Sequence, residues 1–296
     1  MRFATIEHGE QEIAAIVDGE RLLTVQSIND VLGTAWPIGL YELINEEKLS
    51  SLRDWWNERS EDEKKDFESH YLASEEAVYR PLYRHPRKIW GIGLNFVDHA
   101  SDLNEKVPST EPASFMKPET TIIGHNDNIQ LPVQSERTTG EAELGVIIGK
   151  ECKNISESNA KGVIAGYTTV IDMTTEDILQ RNPRYLTRSK SFDTFFSFGP
   201  EFITTDEVAD VFALEVATII NGECHRKNSV SNMTFNPYYL VAFHSQVMTL
   251  QPGDIISTGT PGAGVIRDGD VIECEIDGFC KLKNNVVDLK KRKERV

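Results

Sequence analysis

The first third of the chain combines short apolar strands with one amphipathic helical stretch. Predicted strands cover residues 1–7, 13–17 and 22–25, and Asp18-Gly19 predicts a tight turn between the last two. Between residues 40 and 56, apolar side chains recur at helical spacing on one face. An acidic, polar stretch follows, and Pro81 and Pro86 then interrupt the pattern. We therefore predict a small N-terminal α+β domain over residues 1–85.

After residue 86 the pattern changes to apolar strands separated by glycine-rich corners. The predicted strands cover residues 88–94, 142–148, 163–171, 214–220, 254–258 and 271–276. One later helix is clear, because Asn236 can cap it and Pro237 suits its first position. His244 lies on the apolar face of that helix, and we interpret it as a hydrogen-bonded core histidine. These patterns predict a β-rich α+β protein whose second domain covers residues 86–296.

Composition narrows the classes of function. The 296 residues carry a net charge of −16, which repels phosphate backbones, so we expect no nucleic-acid partner. The apolar runs are far shorter than the roughly 20 residues that span a bilayer, and the first twenty residues lack an apolar signal segment. We therefore expect no membrane partner and a cytoplasmic location. The four cysteines have neither CxxC nor zinc-site spacing and are expected to be reduced, buried thiols.

Two carboxylates stand on one face of an apolar strand. Glu141 and Glu143 alternate with Ala142 and Leu144, and side chains along a strand alternate between its faces. The strand continues as Val-Ile-Ile, which indicates burial on both sides, and buried carboxylates repel each other unless a proton or a cation neutralises them. Asp172, at the predicted end of a later strand, offers a third acid, and three such acids suit Mg²⁺ or Mn²⁺. The alternative is a solvated edge strand whose glutamates face water.

His99 and Asp102 are a candidate acid–base pair. Asn95 and Asp98 have the spacing of a capping box, which predicts that a helix begins here. On a helix, His99 and Asp102 lie three residues apart and can meet. A carboxylate that orients an imidazole makes a competent general base near neutral pH. The alternative from these residues alone is an exposed helix with a solvated histidine.

Many short motifs follow one another in a recognisable order between residues 88 and 286. They are GIGLN at 91–95, DHA at 98–100, FMKP at 115–118, EAEL at 141–144, VIIG at 146–149, GY at 166–167, KSFDTF at 190–195, GP at 199–200, NGE at 221–223 and TGTP at 258–261. In this order the chain resembles the fumarylacetoacetate hydrolase family. The resemblance implies mixed β-sheets rolled around the site, and a homodimer.

The resemblance also implies roles for individual residues. It assigns catalysis to His99, Asp102 and Lys190, substrate binding to Gly259 and Thr260, and the binding of Mg²⁺ or Mn²⁺ to Glu141, Glu143 and Asp172. We also expect Lys117 and Arg188 to bind the substrate. In similar proteins the acid that follows the histidine is a glutamate, one methylene longer than Asp102, so Glu105 is an alternative partner for His99. The substrate that the resemblance implies is a small oxo acid chelated by the metal.

Two positions depart from the family pattern. Glu176 stands where many relatives carry an arginine that contacts the substrate, and Arg181, Arg184 or Arg188 could return the positive charge. A simpler interpretation is that Thr174 or Thr175 caps a helix whose positive end favours Glu176. The loop after Pro261 is also shorter than in many relatives.

The resemblance implies a divalent-metal-dependent hydrolase. Its substrate would be a β-diketo or 2-oxo acid of the fumarylacetoacetate or acylpyruvate type, whose C–C bond breaks through a metal-stabilised enolate. An oxaloacetate-type decarboxylase or an isomerase needs the same stabilisation, so both stay open. A catalytically silent binding protein with this fold also stays open, and Asp102 and Glu176 are the residues that favour it.

Overall fold

A computed structural model describes residues 1–96, 108 and 110–293, and these residues form two mixed β-sheets with short helices around them. The strands are β1 (Arg2–His8), β2 (Gln11–Asp18), β3 (Arg21–Thr24), β4 (Leu72–Ala73), β5 (Ile89–Gly93), β6 (Ala113–Lys117), β7 (Ile122–Ile123), β8 (Asn128–Leu131), β9 (Thr138–Ile148), β10 (Ile164–Thr175), β11 (Phe196–Thr204), β12 (Glu215–Ile220), β13 (Glu223–Ser229), β14 (Ile255–Ser257), β15 (Gly264–Ile266), β16 (Val271–Ile276) and β17 (Leu282–Asp288). The α-helices are α1 (Val25–Leu32), α2 (Leu40–Asn45), α3 (Leu49–Asn57), α4 (Glu61–Lys64), α5 (Glu157–Ala160), α6 (Glu176–Arg181), α7 (Leu186–Lys190), α8 (Pro237–Val247) and α9 (Leu289–Lys293). The predicted β-rich α+β fold is confirmed.

The larger sheet carries most of the strands. Its order is β4-β3-β2-β1-β11-β10-β9-β14-β5-β6, with β15 paired to β9 and β7 paired to β11. The smaller sheet has the order β13-β12-β16-β17-β8. Both sheets are mixed, because β14 runs parallel to β5 in the first and β17 runs parallel to β8 in the second.

The long central strands are buried along nearly their whole length. All residues of β9 are buried, and β10 is buried except at Ala165. Both strands extend beyond their predicted limits, so Asp172 lies inside β10 and not at its end. The cause is the antiparallel ladder, which continues through Thr174 and Thr175 opposite two further threonines of β9. Threonine, like other β-branched residues, is favoured on such a pleated surface.

The two faces of β9 pack against different parts of the molecule. Ala142, Leu144 and Val146 belong to the main hydrophobic core, which the smaller sheet and α8 complete. Ile147, on the opposite face, belongs to a second core that includes Leu43 and other residues of the N-terminal helices. The predicted alternation along this strand is confirmed, and a solvated edge strand is excluded.

The first 85 residues extend the larger sheet. β1 pairs with β11 through Phe3 and Phe202, and the helical stretch predicted over residues 40–56 forms α2 and α3. Glu47 separates these two helices, because its φ of 54° lies in the left-handed region. These elements cover one face of the sheet, whereas the division into two domains at residue 85 stays a prediction.

Two smaller expectations have mixed outcomes. His244 is fully buried on α8, as predicted, and Asn236 caps that helix by accepting a hydrogen bond from the Tyr239 N–H at 2.9 Å. Cys152 and Cys274 are buried free thiols, but the same expectation is wrong for the other two cysteines, which are exposed. Among the helices in the described part of the chain, none combines the length and apolar character that crossing a membrane requires.

Candidate active site

The register of the central strands brings three acids together. β9 and β10 pair so that Glu141 lies opposite Asp172 and Glu143 lies opposite Val170. Directly opposed residues of an antiparallel pair share a face, and so do alternate residues of one strand. The three carboxyl groups therefore meet on one side of the sheet, with an oxygen of each within 4.8 Å of the others.

Burial makes this concentration of negative charge costly. The exposed fraction is 8% for Glu141 and 1% for each of Glu143 and Asp172. Burial, together with repulsion from Asp172 and Glu141, raises the pKa of Glu143 to about 8. Burial and this repulsion together disfavour the charged form of Glu143.

Two buried lysines supply the cations of the cluster. Lys190 Nζ lies 2.6 Å from Asp172 Oδ2 and 3.3 Å from Glu141 Oε2, and it also donates to Thr174 Oγ1 at 2.6 Å. Lys117 Nζ lies 2.5 Å from Asp172 Oδ1 and donates to the Lys190 carbonyl. Burial favours the neutral carboxyl of Asp172, but the two ammonium groups outweigh it and lower the pKa of Asp172.

Lys190 is held in its charged form by the same contacts. Burial opposes the charge, but Asp172 and Glu141 outweigh burial and raise the pKa of the Lys190 ammonium. Its Nζ also lies 4.7 Å from the centroid of the Phe115 ring, within the range of a cation–π interaction. Lys190 therefore presents a fixed positive charge beside the acids, where the resemblance placed it. Its catalytic role stays a prediction.

A tight turn after β14 completes this side of the cluster. Ser257 Oγ donates to Glu143 Oε2 at 2.5 Å, and the backbone N–H of Gly259 donates to the same oxygen at 2.8 Å. Thr260 is buried, and its hydroxyl accepts from the Gly262 N–H at 3.2 Å. The Asn95 side chain also stabilises the turn, because its Nδ2 donates to the Thr258 carbonyl at 2.7 Å. The turn thus binds a candidate metal ligand, while substrate contact by Gly259 and Thr260 stays a prediction.

The three carboxylates fit a hard divalent cation. Both contacts from the turn go to a single oxygen of Glu143, and in the described part of the chain its other oxygen has no hydrogen-bond partner. Oxygen donors in this number and proximity are the ligands that Mg²⁺, Mn²⁺ and Ca²⁺ prefer. A cation bound between them would also relieve the repulsion that raises the pKa of Glu143. The cluster is therefore a candidate divalent-metal site.

The charge of Glu176 is compensated by an arginine other than the three that the sequence suggested. Its carboxylate accepts from Arg137 Nε at 2.5 Å, so the compensating guanidinium comes from the residue before β9. Arg181 binds Asp177 at 3.4 Å instead, and Arg188 is exposed on α7. Arg184 is also exposed. Thr175 stands at the N-cap of α6, but its hydroxyl donates to the Ser189 carbonyl, so the predicted side-chain cap is absent there.

The predicted acid–base pair lies outside the described residues. Neither His99 nor Asp102 belongs to residues 1–96, 108 or 110–293, and the helix predicted to begin near Asn95 falls largely in the same gap. Asn95 itself is described, and its side-chain oxygen accepts from the Phe235 N–H at 2.9 Å. The catalytic roles of His99 and Asp102 therefore stay predictions.

Sequence reasoning missed three polar residues that contact the acids. Thr174 Oγ1 donates to Glu141 Oε1 at 2.7 Å, Thr139 Oγ1 lies 3.4 Å from the same oxygen, and Ser257 binds Glu143. The alternation that placed Glu141 and Glu143 on one face also places Thr139 there. Only the pairing of β10 and β14 with β9 could reveal the other two.

Comparison with known proteins shows which proteins this chain is similar to. A family model described as "Fumarylacetoacetate (FAA) hydrolase C-terminal" matches residues 88–287. An uncharacterized protein of Archaeoglobus fulgidus is 46% identical over 203 residues, which cover 68% of this chain and 79% of that protein. The mitochondrial oxaloacetate tautomerase fahd2 of Xenopus laevis is 36% identical over 231 residues, which cover 75% of this chain and 72% of that protein.

A solved structure extends the similarity to nearly the whole chain. Maleylpyruvate hydrolase from Sphingobium sp. SYK-6, in complex with manganese(II) ion and pyruvate, superposes with a TM-score of 0.78 at 27% identity. The superposition covers 97% of this chain and 99% of that one. The relatives named here include a hydrolase and a tautomerase, both of which are enzymes. The chain therefore belongs to the fumarylacetoacetate hydrolase family of enzymes.

Proposed function

We propose that this protein is a divalent-metal-dependent hydrolase that cleaves a C–C bond in a small β-diketo or 2-oxo acid. The proposal rests mainly on one observation. The carboxylates of Glu141, Glu143 and Asp172 form a buried cluster beside the positive charge of Lys190. The manganese and pyruvate in the related maleylpyruvate hydrolase structure support a divalent metal and an oxo acid. For this chain we propose Mg²⁺ or Mn²⁺ as the physiological ion.

The side chains of the cluster would have different roles in such a reaction. A bound divalent cation would polarise the carbonyl oxygen of the oxo acid and stabilise negative charge developing there. The three carboxylates would hold that cation, and Ser257 and the Gly259 N–H orient one of them. Lys190 adds a positive charge that is already in place before reaction, which is how a preorganised site stabilises developing anions.

In the proposed hydrolysis, water adds to one carbonyl carbon of the substrate and one C–C bond breaks. His99, oriented by Asp102, takes a proton from water, and the water oxygen forms a bond to the carbonyl carbon farther from the acid end. The C–C bond between that carbon and its neighbour then breaks, and its electron pair passes to the enolate of the oxo acid. Protonation of the enolate carbon gives a 2-oxo acid, and the other product is a carboxylic acid.

A second candidate is the interconversion of keto and enol forms of oxaloacetate. It is favoured by the similarity, at 36% identity, to an oxaloacetate tautomerase. The reaction moves one proton between carbon and oxygen and uses the same stabilised enolate charge. It breaks no C–C bond, so the products separate the two candidates.

The deciding experiment measures turnover of acetylpyruvate and oxaloacetate with Mg²⁺, with Mn²⁺ and with EDTA. Release of acetate and pyruvate from acetylpyruvate, abolished by EDTA, supports the hydrolase. Accelerated keto–enol exchange of oxaloacetate without C–C cleavage supports the tautomerase. No metal-dependent change in any oxo acid would favour the catalytically silent protein.

Replacing one of the buried acids of the cluster tests the metal site. Glu143→Ala is expected to remove cation binding and activity while the protein stays folded, because a ligand and much of the local repulsion disappear together. Calorimetric titration with Mn²⁺ and a circular dichroism spectrum measure the two effects. Glu215→Ala, which removes an exposed carboxylate, serves as the control. Full activity in Glu143→Ala would exclude the ligand role.

Replacing the proposed base tests the hydrolytic step. His99→Ala is expected to leave cation binding intact and to lower kcat by roughly two to four orders of magnitude, the usual effect of removing a general base. Steady-state kinetics on acetylpyruvate provide the measurement. An unchanged kcat would exclude His99 as the base.

A further inference from the structure

The larger sheet has a gap beside the two glutamates of β9. On the edge of β9 that faces away from β10, β14 pairs with residues 145–147 and β15 pairs with residues 138–140. In the part of the chain that the structure describes, no strand pairs with residues 141–144 on this edge. Residues 258–263, which connect β14 to β15, are not part of the sheet and contain the turn that binds Glu143. Backbone groups on the open edge therefore need partners from elsewhere.

A threonine of the smaller sheet supplies such a partner. Thr218 lies in β12, and its Oγ1 accepts a hydrogen bond from the Ala142 N–H at 3.2 Å. The same hydroxyl donates to the carbonyl of Gly262, in the loop between β14 and β15, at 3.2 Å. Thr218 and Ala142 are both fully buried, so bulk water does not reach this contact. One hydroxyl thus joins the backbone between Glu141 and Glu143 to the loop after β14.

A neighbouring residue of the smaller sheet contacts the same stretch of β9. Cys274 lies opposite Thr218 in the β12–β16 pair, and its Sγ lies 3.7 Å from the Glu143 carbonyl oxygen. Directly opposed residues share a face, so both side chains point from the smaller sheet toward β9. The loop itself is fixed at its start, because the Thr258 N–H donates to the Leu144 carbonyl at 3.0 Å. The smaller sheet therefore supports the backbone that carries the acids, and Thr218 links that backbone to the loop.

We propose that Thr218 is a positioning residue, whose hydroxyl fixes Glu143 relative to the turn that orients its carboxylate. Glu143 follows Ala142 on β9, whereas the Gly259 N–H that donates to Glu143 belongs to the loop that contains Gly262. Without the hydroxyl, the buried Ala142 N–H loses its acceptor, and the strand or the loop must shift to restore one. The inference rests on the proposed function, because it takes Glu143 as a ligand of the divalent metal.

Two substitutions separate the hydroxyl of Thr218 from its volume. Thr218→Val keeps the volume and removes the hydroxyl, so it is expected to weaken Mn²⁺ binding by about tenfold, the lower end of the loss that follows removal of outer partners of metal ligands. Thr218→Ser keeps the hydroxyl and removes a methyl group, so Mn²⁺ binding is expected to change by less than about twofold, because both hydrogen bonds remain. Calorimetric titration measures both affinities. A role in packing alone predicts the opposite order, since serine leaves a cavity and valine does not.

Hydrogen exchange tests the same contact in the metal-free protein. In Thr218→Val, the amides of residues 139–145 and 257–263 are expected to exchange about tenfold faster than in the wild type, the effect of one lost buried hydrogen bond on local opening. Thr5→Val is the matched control, because the buried Thr5 hydroxyl donates to the Leu82 carbonyl at 2.7 Å. Thr5 lies in β1, which β11 and β10 separate from β9. The control is expected to change neither the Mn²⁺ affinity nor the exchange of these two segments.

The outcomes distinguish this inference from the function on which it rests. If the wild type binds Mn²⁺ and Thr218→Val binds it equally well, the positioning role is wrong and the proposed metal site survives. Equal losses in Thr218→Val and Thr218→Ser also overturn the role, because packing explains that result. Thr218→Ala removes the same hydroxyl without placing a methyl group against polar atoms, so wild-type affinity in that variant is equally decisive if the valine variant does not fold. If the wild type binds neither Mn²⁺ nor Mg²⁺, the proposed metal site is wrong and the inference falls with it.

Discussion

At the scale of single residues, the hydrogen-bond partners of buried His244 determine which of its ring nitrogens carries the proton. Its Nδ1 lies 2.7 Å from the Leu240 carbonyl and its Nε2 lies 2.7 Å from Ser114 Oγ. A carbonyl can only accept, so Nδ1 carries the proton, and Nε2 of the neutral ring accepts from the serine hydroxyl. Burial lowers the pKa of His244, although the hydrogen bond to Leu240 acts in the opposite direction.

This arrangement predicts a loss of stability in mild acid. The unfolded chain protonates His244 near its usual pKa of about 6.5, whereas the folded chain resists protonation. The unfolded state therefore binds more protons as the pH falls below that value, and the free energy of unfolding decreases. Urea denaturation at pH 7.5, 6.5 and 5.5 should show a larger decrease for the wild type than for His244→Gln. Equal decreases would contradict the neutral buried ring.

At the scale of elements, the turn after β14 couples backbone geometry to the acid cluster. Gly259 has a φ of +96°, and a Cβ there would lie 2.8 Å from Asn95 Cβ and 3.0 Å from the Ile92 carbonyl oxygen. Only glycine adopts this conformation without strain, and only glycine fits the space. The same backbone N–H donates to Glu143. The turn therefore positions a candidate metal ligand through main-chain geometry.

Gly259→Ala is expected to lower the free energy of unfolding by about 2–4 kcal/mol, because strain at positive φ adds to the close contact. It is also expected to weaken Mn²⁺ binding, since the N–H moves away from Glu143. Gly269→Ala is the control, because Gly269 has a φ of +88° but open space around its Cα. Chemical denaturation and calorimetry measure both effects. Equal destabilisation of the two variants would show that the contact with Asn95 is unimportant.

At the scale of the whole molecule, the N-terminal elements share the larger sheet and the second hydrophobic core with the rest of the chain. The rings of Phe3 and Phe202 lie 6.4 Å apart across the β1–β11 pair, and those of Tyr83 and Phe198 lie 5.1 Å apart. The second core draws on residues from both sides of position 85. The homodimer implied by the family resemblance stays a prediction, as does the division into domains.

This shared core predicts one cooperative unfolding transition. Phe202→Ala is expected to destabilise the protein by about 3–5 kcal/mol, the usual cost of emptying a buried aromatic site, and to lower a single Tm. Differential scanning calorimetry measures the number of transitions in the wild type and the variant. Two separate transitions, with only one of them shifted, would instead support an N-terminal domain that folds by itself.

Some residues of the candidate site could be predicted from the sequence pattern, and others could not. Glu141 and Glu143 could be placed on one face, because the two-residue period of a strand is a local property. Asp172 was identified as their partner, but its position inside β10 depends on a ladder that is set by contacts along both strands. The sequence does not predict Arg137 as the partner of Glu176, because the two lie 39 positions apart in the chain and meet only through strand pairing.

The sequence by itself determined the fold class, the buried character of the central strand, the acids that it carries and the family. Those features follow from local periodicity and from motifs that are read residue by residue. Only the tertiary structure decided which cations neutralise the acids, which turn orients Glu143 and which guanidinium faces Glu176. The physical reason is that electrostatic and hydrogen-bonding contacts depend on distances in space, and strand pairing brings together side chains that are far apart in the chain.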